Sequence, residues 1–263
     1  MTVFANDALK DEHALVTGAT GGIGSATAKV LAETGAAVTL TGRREDKLEE
    51  LAREIREANP SAHVYTHAAD LVSEEERGQL VESAANACGP ISLLVNNAGI
   101  SGGGPVENLE REDIERVMDM NYTSTVLLTQ IVYESMKKRQ KGAIVNVTSL
   151  SGLRGTYGGT AYAGSKFAMT AFTHSFALEA IEHGVRVNAV SPGFVDTDMG
   201  RKSAQKKADR QGRSLDDVIK DSIPSGRMTT QLEVANTITF LLTDAAANIV
   251  GESVKISGGS VMR

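Results

Sequence analysis

Short β-branched runs alternate with longer helical patterns from one end of this chain to the other, and that alternation leaves few folds open. The extended runs are HALVT (13–17), AVTLT (37–41), AHVYTH (62–67), ISLLVN (91–96), AIVNVTS (143–149), VRVNAVS (185–191) and SVKIS (253–257). Between them, segments such as SATAKVLAETG and EDKLEELAREIREA place apolar residues three and four apart, the period of a helix with one buried face. Parallel neighbours need a long crossover, so strand–helix repetition predicts an α/β protein with a parallel sheet and helices on both its faces. Consecutive apolar positions in ISLLV fit a strand buried on both sides.

The 263 residues suffice for one large α/β domain or two small ones, and no repeat or linker divides them. A net charge of −6 leaves no basic excess to neutralise phosphates, which argues against a nucleic-acid partner. Cys88, the single cysteine, permits no intramolecular disulfide and points to a reducing compartment. It ends a helical pattern in AANACGP without a nearby histidine, so it reads as a small packing residue rather than a nucleophile. The first residues, MTVFANDALKDEHALV, lack a secretory pattern, and no apolar stretch approaches the ~20 residues of a membrane span. A cytoplasmic protein without a membrane partner is the expectation. His63 and His67 are four apart, but on a strand that separates them by about 13 Å, so no metal site is read there.

LVTGATGGIGSATAKVLAETG reads as strand, glycine-rich turn, then helix. A helix N-terminus offers free N–H groups and a positive dipole end, and glycines let a pyrophosphate approach the backbone there. Gly18, Gly21, Gly22 and Gly24, with Thr20 and Ile23 between them, are therefore candidates to hold a dinucleotide. An acid at the end of the second strand would select the ribose of NAD, and an arginine the 2′-phosphate of NADP. That strand ends TLTGRRED: Gly42 stands at the acidic position, and Arg43 and Arg44 follow. NADP(H) is favoured, with NAD(H) the alternative and a solvated pair at a helix start the bland one.

TYGGTAYAGSK (156–166) holds a different chemistry. Tyr162 and Lys166 are four apart, on one face of a helix, and a neighbouring ammonium lowers the pKa of a phenol. Ser149 stands at a strand's carboxyl end, where ligands of such sheets bind, so it and Tyr162 can meet around one carbonyl. Ser151 is the competing hydroxyl, past the strand. Tyr157 has Ala161 four residues on instead of a lysine, so it lines the substrate pocket or merely packs.

Ser149, followed after thirteen residues by Tyr162-Ala-Gly-Ser-Lys166, resembles the signature of the classical short-chain dehydrogenases/reductases. NNAG (Asn96–Gly99), Asn121 in MNYTST and SPGFVDTDM after the sixth strand match as well. The glycine turn fits both the T-G-x-x-x-G-x-G spacing of that group and the T-G-x-x-G-x-x-G of its extended and atypical relatives. Extended relatives carry a C-terminal substrate domain that this chain has no residues left to build, which favours the classical group. The resemblance spans about residues 10–260 and implies a single Rossmann domain (1–263), doubly wound around a seven-stranded parallel sheet. It also implies site roles. Tyr162 would donate a proton during reduction, Lys166 would bind the nicotinamide ribose and lower the pKa of Tyr162, Ser149 would hydrogen-bond the carbonyl, and Asn121 would hold a relay water. By itself Asn121 reads equally as a mid-helix asparagine bonding its own backbone. Cofactor contacts would come from the glycine turn, from Asp70 and Leu71 at the adenine, and from Asn97, Ala98 and Gly99 on the ribose side. Pro192, Gly193, Val195 and Thr197 would face the nicotinamide. Tyr162, Lys166, Arg43 and Arg44 complete the cofactor set; Ser149, Ser151, Tyr157 and Tyr162 would contact substrate. A homotetramer is implied, with the helices bearing Asn121 and Tyr162 at subunit contacts.

Within the group the overall match most resembles 3-oxoacyl-[acyl-carrier-protein] reductases, so a 3-oxoacyl thioester is the expected substrate and acyl carrier protein a possible partner. The basic MKKRQKG (136–142) would suit an acidic carrier, although His183 stands where those enzymes usually have an arginine. Residues 198–227 are polar and basic with a weak helical pattern toward the end; a connection so long reads as a substrate lid rather than a plain loop. Another alcohol, ketone or sugar substrate is the alternative. A non-catalytic dinucleotide-binding regulator is disfavoured by the intact Asn–Ser–Tyr–Lys set.

Overall fold

The computed structural model describes residues 3–261, and the parallel sheet expected from the alternation is its centre. Strands β1 (His13–Thr17), β2 (Ala37–Gly42), β3 (Val64–Ala68), β4 (Leu93–Asn96), β5 (Gly142–Val147), β6 (Val185–Pro192) and β7 (Ser253–Ile256) pair in the order β3-β2-β1-β4-β5-β6-β7. Burial follows position. β1 and β4 lie in the middle and are buried throughout, whereas the edge strands β3 and β7 are partly exposed. The chain builds outward from β1 to β3, then returns to start β4 on the other side of β1. The two halves diverge there, leaving a crevice beyond the carboxyl ends of β1 and β4, where such sheets bind ligands.

Helices α1 (Gly22–Glu33), α2 (Glu45–Ala58), α3 (Glu74–Cys88), α4 (Arg111–Met118), α5 (Ser124–Arg139), α6 (Thr160–Ile181), α7 (Asp198–Gln211), α8 (Leu215–Ser222) and α9 (Gln231–Leu242) connect the strands. One face of the sheet packs Leu31, Leu48 and Ile238 from α1, α2 and α9; the other packs Leu80, Leu128 and Phe176 from α3, α5 and α6. Starts are capped chemically. Ser73 and Ser214 cap α3 and α8, and Thr230 with Glu233 forms a reciprocal capping box on α9.

Two boundaries differ from the sequence reading. β5 stops at Val147; Ser149 lies beyond it, extended, as the cap of a 3-10 turn at Leu150–Gly152. Residues 198–222 form a helical hairpin, α7 and α8, rather than a weakly helical stretch. Its buried stripe is narrow, since only Ala204, Ala208 and Val218 are buried within the two helices, so the apolar period barely shows. His67 lies on β3 and His63 just before it; no cluster of metal-ligating side chains occurs among the described residues.

Candidate active site

The glycine turn is shaped by what its glycines lack. Gly18 adopts φ +61°, and a Cβ there would lie 2.8 Å from Ala98 Cα. A Cβ on Gly22 would lie 2.6 Å from Thr197 Cγ2, and one on Gly24 would run into the Gly18 carbonyl oxygen. The backbone is thereby held close to β4 and to the segment after β6. Thr17 at the end of β1 receives hydrogen bonds from the amides of Asn97 (2.9 Å) and Ala98 (3.0 Å). The Asn97 side chain donates back to the carbonyls of Thr17 and Gly18, both at 3.0 Å. Asn97, expected on the ribose side of a cofactor, spends its amide group bracing the turn.

At the end of β2 lie the residues expected to choose between the two cofactors. Gly42 is half-buried with open space around it, a Cβ meeting only Thr20 Oγ1 at 3.8 Å and Leu48 Cδ2 at 4.0 Å. Arg43 and Arg44 are exposed, and Arg44 reaches across to donate to Thr20 Oγ1 at 3.1 Å. A guanidinium thus spans the gap between the β2 end and the turn. Asp70 follows β3 half-buried, its carboxylate accepting from the Val72 amide at 3.1 Å, while Leu71 is buried and packs. On the opposite side, Pro192 ends β6, Gly193 donates to the Ile256 carbonyl (2.9 Å), and buried Val195 pairs with Thr229. Thr197 caps α7 by accepting from the Gly200 amide and lies against Gly22, so the first turn of α1 faces the segment that follows β6.

Past β5, the catalytic candidates converge. Ser149 accepts from the Ser151 amide at 3.1 Å, and its hydroxyl is close enough to Tyr162 to act on the phenol's ionisation. The 3-10 turn packs directly on α6 at Gly152, where a Cβ would lie 2.6 Å from the Lys166 carbonyl oxygen. That contact sets the Ser149–Tyr162 spacing. Lys166 is buried, its ammonium donating to the Val147 carbonyl at 2.9 Å and lying 5.8 Å from the Tyr162 ring centre. Burial pushes it down to about 8.

Tyr162 departs from expectation: its phenol is raised above the usual value, because burial outweighs the opposing effect of the neighbouring Ser149 side chain, which lowers it. The ammonium of Lys166 is engaged by Val147, so desolvation decides the direction.

Asn121 sits in a π-helical turn (Asp119–Thr123) between α4 and α5, not in a regular helix. Its side chain accepts from the Ile100 amide (2.8 Å) and donates to the Ile100 carbonyl (2.9 Å) and to Ser165 Oγ (3.0 Å). Ser165 in turn donates to the Tyr162 carbonyl at 2.7 Å. Both amide protons of this side chain and one acceptor site of its oxygen are taken by protein partners, and the residue ties the β4 exit to α6. A Cβ on Gly99 would lie 3.2 Å from Asn121 Oδ1 and 3.6 Å from Lys166 Nζ, so only glycine keeps that corner open. Ser165 is the linking residue the sequence reading passed over. Its place inside AGSK, three after Tyr162, was the available signal.

The remaining substrate candidates divide. The Ser151 hydroxyl is paired with Thr156 Oγ1 at 3.0 Å. Tyr157 is not buried: the residue is 70% exposed, and the guanidinium carbon of Arg210 on α7 stands 4.0 Å from its ring centre. The basic MKKRQKG segment is partly spoken for, with Arg139 donating to the Ile91 carbonyl (2.6 Å) and Lys141 paired with Glu12.

Known proteins resemble this chain along most of its length. A model of the short chain dehydrogenase family matches residues 12–208. Nodulation protein G of Rhizobium sp. (strain N33) is 36% identical over 254 residues, covering 97% of this chain and 98% of that protein. The 3-oxoacyl-[acyl-carrier-protein] reductase FabG of Aquifex aeolicus is 36% identical over 253 residues, covering 95% and 98%. Among solved structures, a single-substitution variant of actinorhodin polyketide ketoreductase with NADPH superposes with a TM-score of 0.90 at 32% identity, covering 98% of this chain and 99% of that one. NAD+-bound xylitol dehydrogenase also gives 0.90, at 31% identity and 95% and 99% coverage. With the family model spanning most of the sequence and both relatives matched nearly end to end, the chain belongs to the short chain dehydrogenase family of oxidoreductases.

Proposed function

We propose that this protein is an NADP(H)-dependent reductase that converts a ketone to an alcohol, with a 3-oxoacyl thioester as its substrate. The observation that carries the reading is the buried ammonium of Lys166, held by the Val147 carbonyl at 2.9 Å and 5.8 Å from the Tyr162 ring centre, with Ser149 acting on the same phenol. The backbone cradle of Gly18, Gly22 and Gly24 is filled by any added Cβ, which suits close approach of a pyrophosphate. Asp70 and Leu71 would line the adenine, and Pro192, Gly193, Val195 and Thr197 the nicotinamide side. Arg44, with Arg43 beside it and no acid at Gly42, would receive a 2′-phosphate. When bound, the nicotinamide supplies the hydride.

The residues of the chain supply the rest. Ser149 orients the carbonyl oxygen by donating to it, and Tyr162 gives that oxygen its proton as the carbonyl carbon is reduced. A phenol raised by burial stays protonated in the resting protein, which suits the donor role in reduction. Lys166, with a pKa of about 8, is placed to return a proton to the phenolate near neutrality. Asn121 holds the architecture behind Lys166. The α7–α8 hairpin is read as the substrate lid within one domain, and the exposed Phe167, Leu178 and Ile181 of α6 as part of a homotetramer contact in a cytoplasmic enzyme.

A second reading, reduction or oxidation of another small ketone or alcohol, is favoured by the tied Arg139 and Lys141 and by His183 pairing with Gln140 at 3.3 Å, which reduce the free basic surface for an acyl carrier protein. Oxidation of NADPH and of NADH is measured with acetoacetyl thioester against a panel of ketones and diketones. Thioester turnover with NADPH supports the first reading, and ketone turnover without it the second. Tyr162→Phe should reduce the rate more than about a thousandfold while cofactor affinity stays within about twofold; Tyr157→Phe should shift substrate preference only. Equal losses from both would overturn the assignment.

A further inference from the structure

The loop between Ser149 and Tyr162 meets the α7–α8 hairpin where Arg210 stands over the Tyr157 ring, and four cations lie on these two segments. Arg154 comes from the loop; Lys207 and Arg210 lie on α7 and Arg213 just after it. Lys207 and Arg210, three apart, share one face of α7, and Lys207 is pushed below the usual lysine value first by burial and then by Arg154, Arg210 and Arg213. Its Nζ is fixed by a 2.7 Å hydrogen bond to Ser222 Oγ on α8. Arg210 is fixed over the Tyr157 ring at 4.0 Å, five residues before the candidate acid Tyr162.

Only Arg213 has a carboxylate, that of Asp221. Among the described residues, Arg154, Lys207 and Arg210 make no ion pair, although the whole chain carries a net charge of −6. Like charges drawn together without counter-charge cost stability unless an anion joins them. An acidic protein gathering uncompensated cations beside its candidate reaction centre has an electrostatic focus there.

We infer that Arg154, Lys207 and Arg210 form a subsite for an anionic group, a phosphate or a carboxylate, carried by the substrate at a distance from its reacting carbonyl. The inference rests on the reading of Ser149, Tyr162 and Lys166 as the reducing centre, and it makes the hairpin the element that selects substrates by charge. A guanidinium on each side of the entrance, one from the loop and one from α7, can clamp the two or three oxygens of such a group, with Lys207 as a point charge between them. The expected carrier-docking segment at Met136–Gly142 is a separate surface at the end of α5.

The test uses the full chain with Arg154→Gln and Arg210→Gln, singly and paired, each checked for unchanged thermal midpoint. Binding of acetoacetyl-coenzyme A to protein saturated with oxidised cofactor is measured by calorimetry. In parallel, kcat/KM is compared for acetoacetyl-coenzyme A and for acetoacetyl N-acetylcysteamine, which has the same 3-oxo thioester and no phosphate. A 3-keto acid and its methyl ester form a second pair. The paired variant should weaken the coenzyme A thioester at least about tenfold and the neutral thioester less than about twofold, with the difference shrinking in about 0.5 M salt, where the screening length is about 4 Å. Selective loss on the keto acid instead would identify a carboxylate. Equal effects on charged and neutral partners, or none, would overturn the subsite. If no ketone is reduced, the reducing reading fails, while the calorimetric comparison still decides the subsite.

Discussion

Lys166 donates its ammonium proton to the carbonyl oxygen of Val147, the last residue of β5, at 2.9 Å, with no carboxylate contributing to its ionisation. A cation held by a single carbonyl in a buried corner is poorly compensated. That bond places the lysine beneath Tyr162 and leaves its charge dependent on whatever else enters the site.

The first prediction follows from that burial. The unfolded chain keeps the Lys166 proton up to 10.5, and the folded chain releases it near 8. Between those values unfolding takes up a proton, so the stability contribution of this group rises with pH through the window and its penalty is fully felt below it. In denaturant titrations of cofactor-free protein from about pH 7.5 to 10.5, the wild type should gain about 3 kcal/mol relative to Lys166→Met. A constant difference across the window would show that the lysine is not desolvated.

Asn121 separates architecture from relay. Asn121→Ala removes three hydrogen bonds and strands the Ile100 amide and carbonyl, which should cost about 2–4 kcal/mol of stability together with activity. Chemical denaturation read beside kcat tests it. Loss of rate at full stability would instead mean that the side chain acts in proton transfer.

Cofactor choice should turn on two neighbouring positions. Arg44→Ser should weaken NADPH about ten- to a hundredfold and leave NADH nearly unchanged, the scale of losing a charge-assisted guanidinium–phosphate pair. Gly42 has space for a side chain, so Gly42→Asp combined with Arg44→Ser should reverse the preference. Dissociation constants from cofactor fluorescence check both.

Acid stability should depend on His13. Its ring is buried at the start of β1, bonded to the Gly89 carbonyl (2.7 Å) and Thr39 Oγ1 (2.8 Å), and burial lowers its pKa with Arg139 adding to the effect. The folded pKa lies below the unfolded 6.5, so the unfolded chain takes up a proton as pH falls through 6.5 and stability is lost there. The slope attributable to His13 should approach, and not exceed, about 1.4 kcal/mol per pH unit. Thermal midpoints of wild type and His13→Gln between about pH 7 and 5 provide the check; parallel lines would contradict the burial argument.

Much of the site was legible from local pattern. Tyr162 and Lys166 share a helical face at i and i+4, and Ser149 follows the strand that the β-branched run at 143–147 announces. The departures share a cause. Asn121 lies in a π-turn with its side chain claimed by Ile100, a partner on the β4 exit that no short-range spacing reveals. Residues 198–222 hid two helices because α7 buries only Ala204 and Ala208. Tyr157 met Arg210, fifty-three positions away, rather than the protein interior.

The sequence by itself determined the alternation that makes a parallel sheet, the glycine turn at the first crossover and the choice of candidate reacting groups. Those are set by repeat period, by missing Cβ atoms and by side-chain chemistry, all local properties. Only the tertiary structure decided the charge states: burial raises Tyr162 and lowers Lys166, where the spacing alone suggested a phenol lowered by its neighbour. It also decided that Arg210 of α7 stands over the Tyr157 ring of the loop that holds Arg154. Desolvation and long-range convergence depend on which surfaces the whole chain removes from water, and that is fixed only when the fold closes.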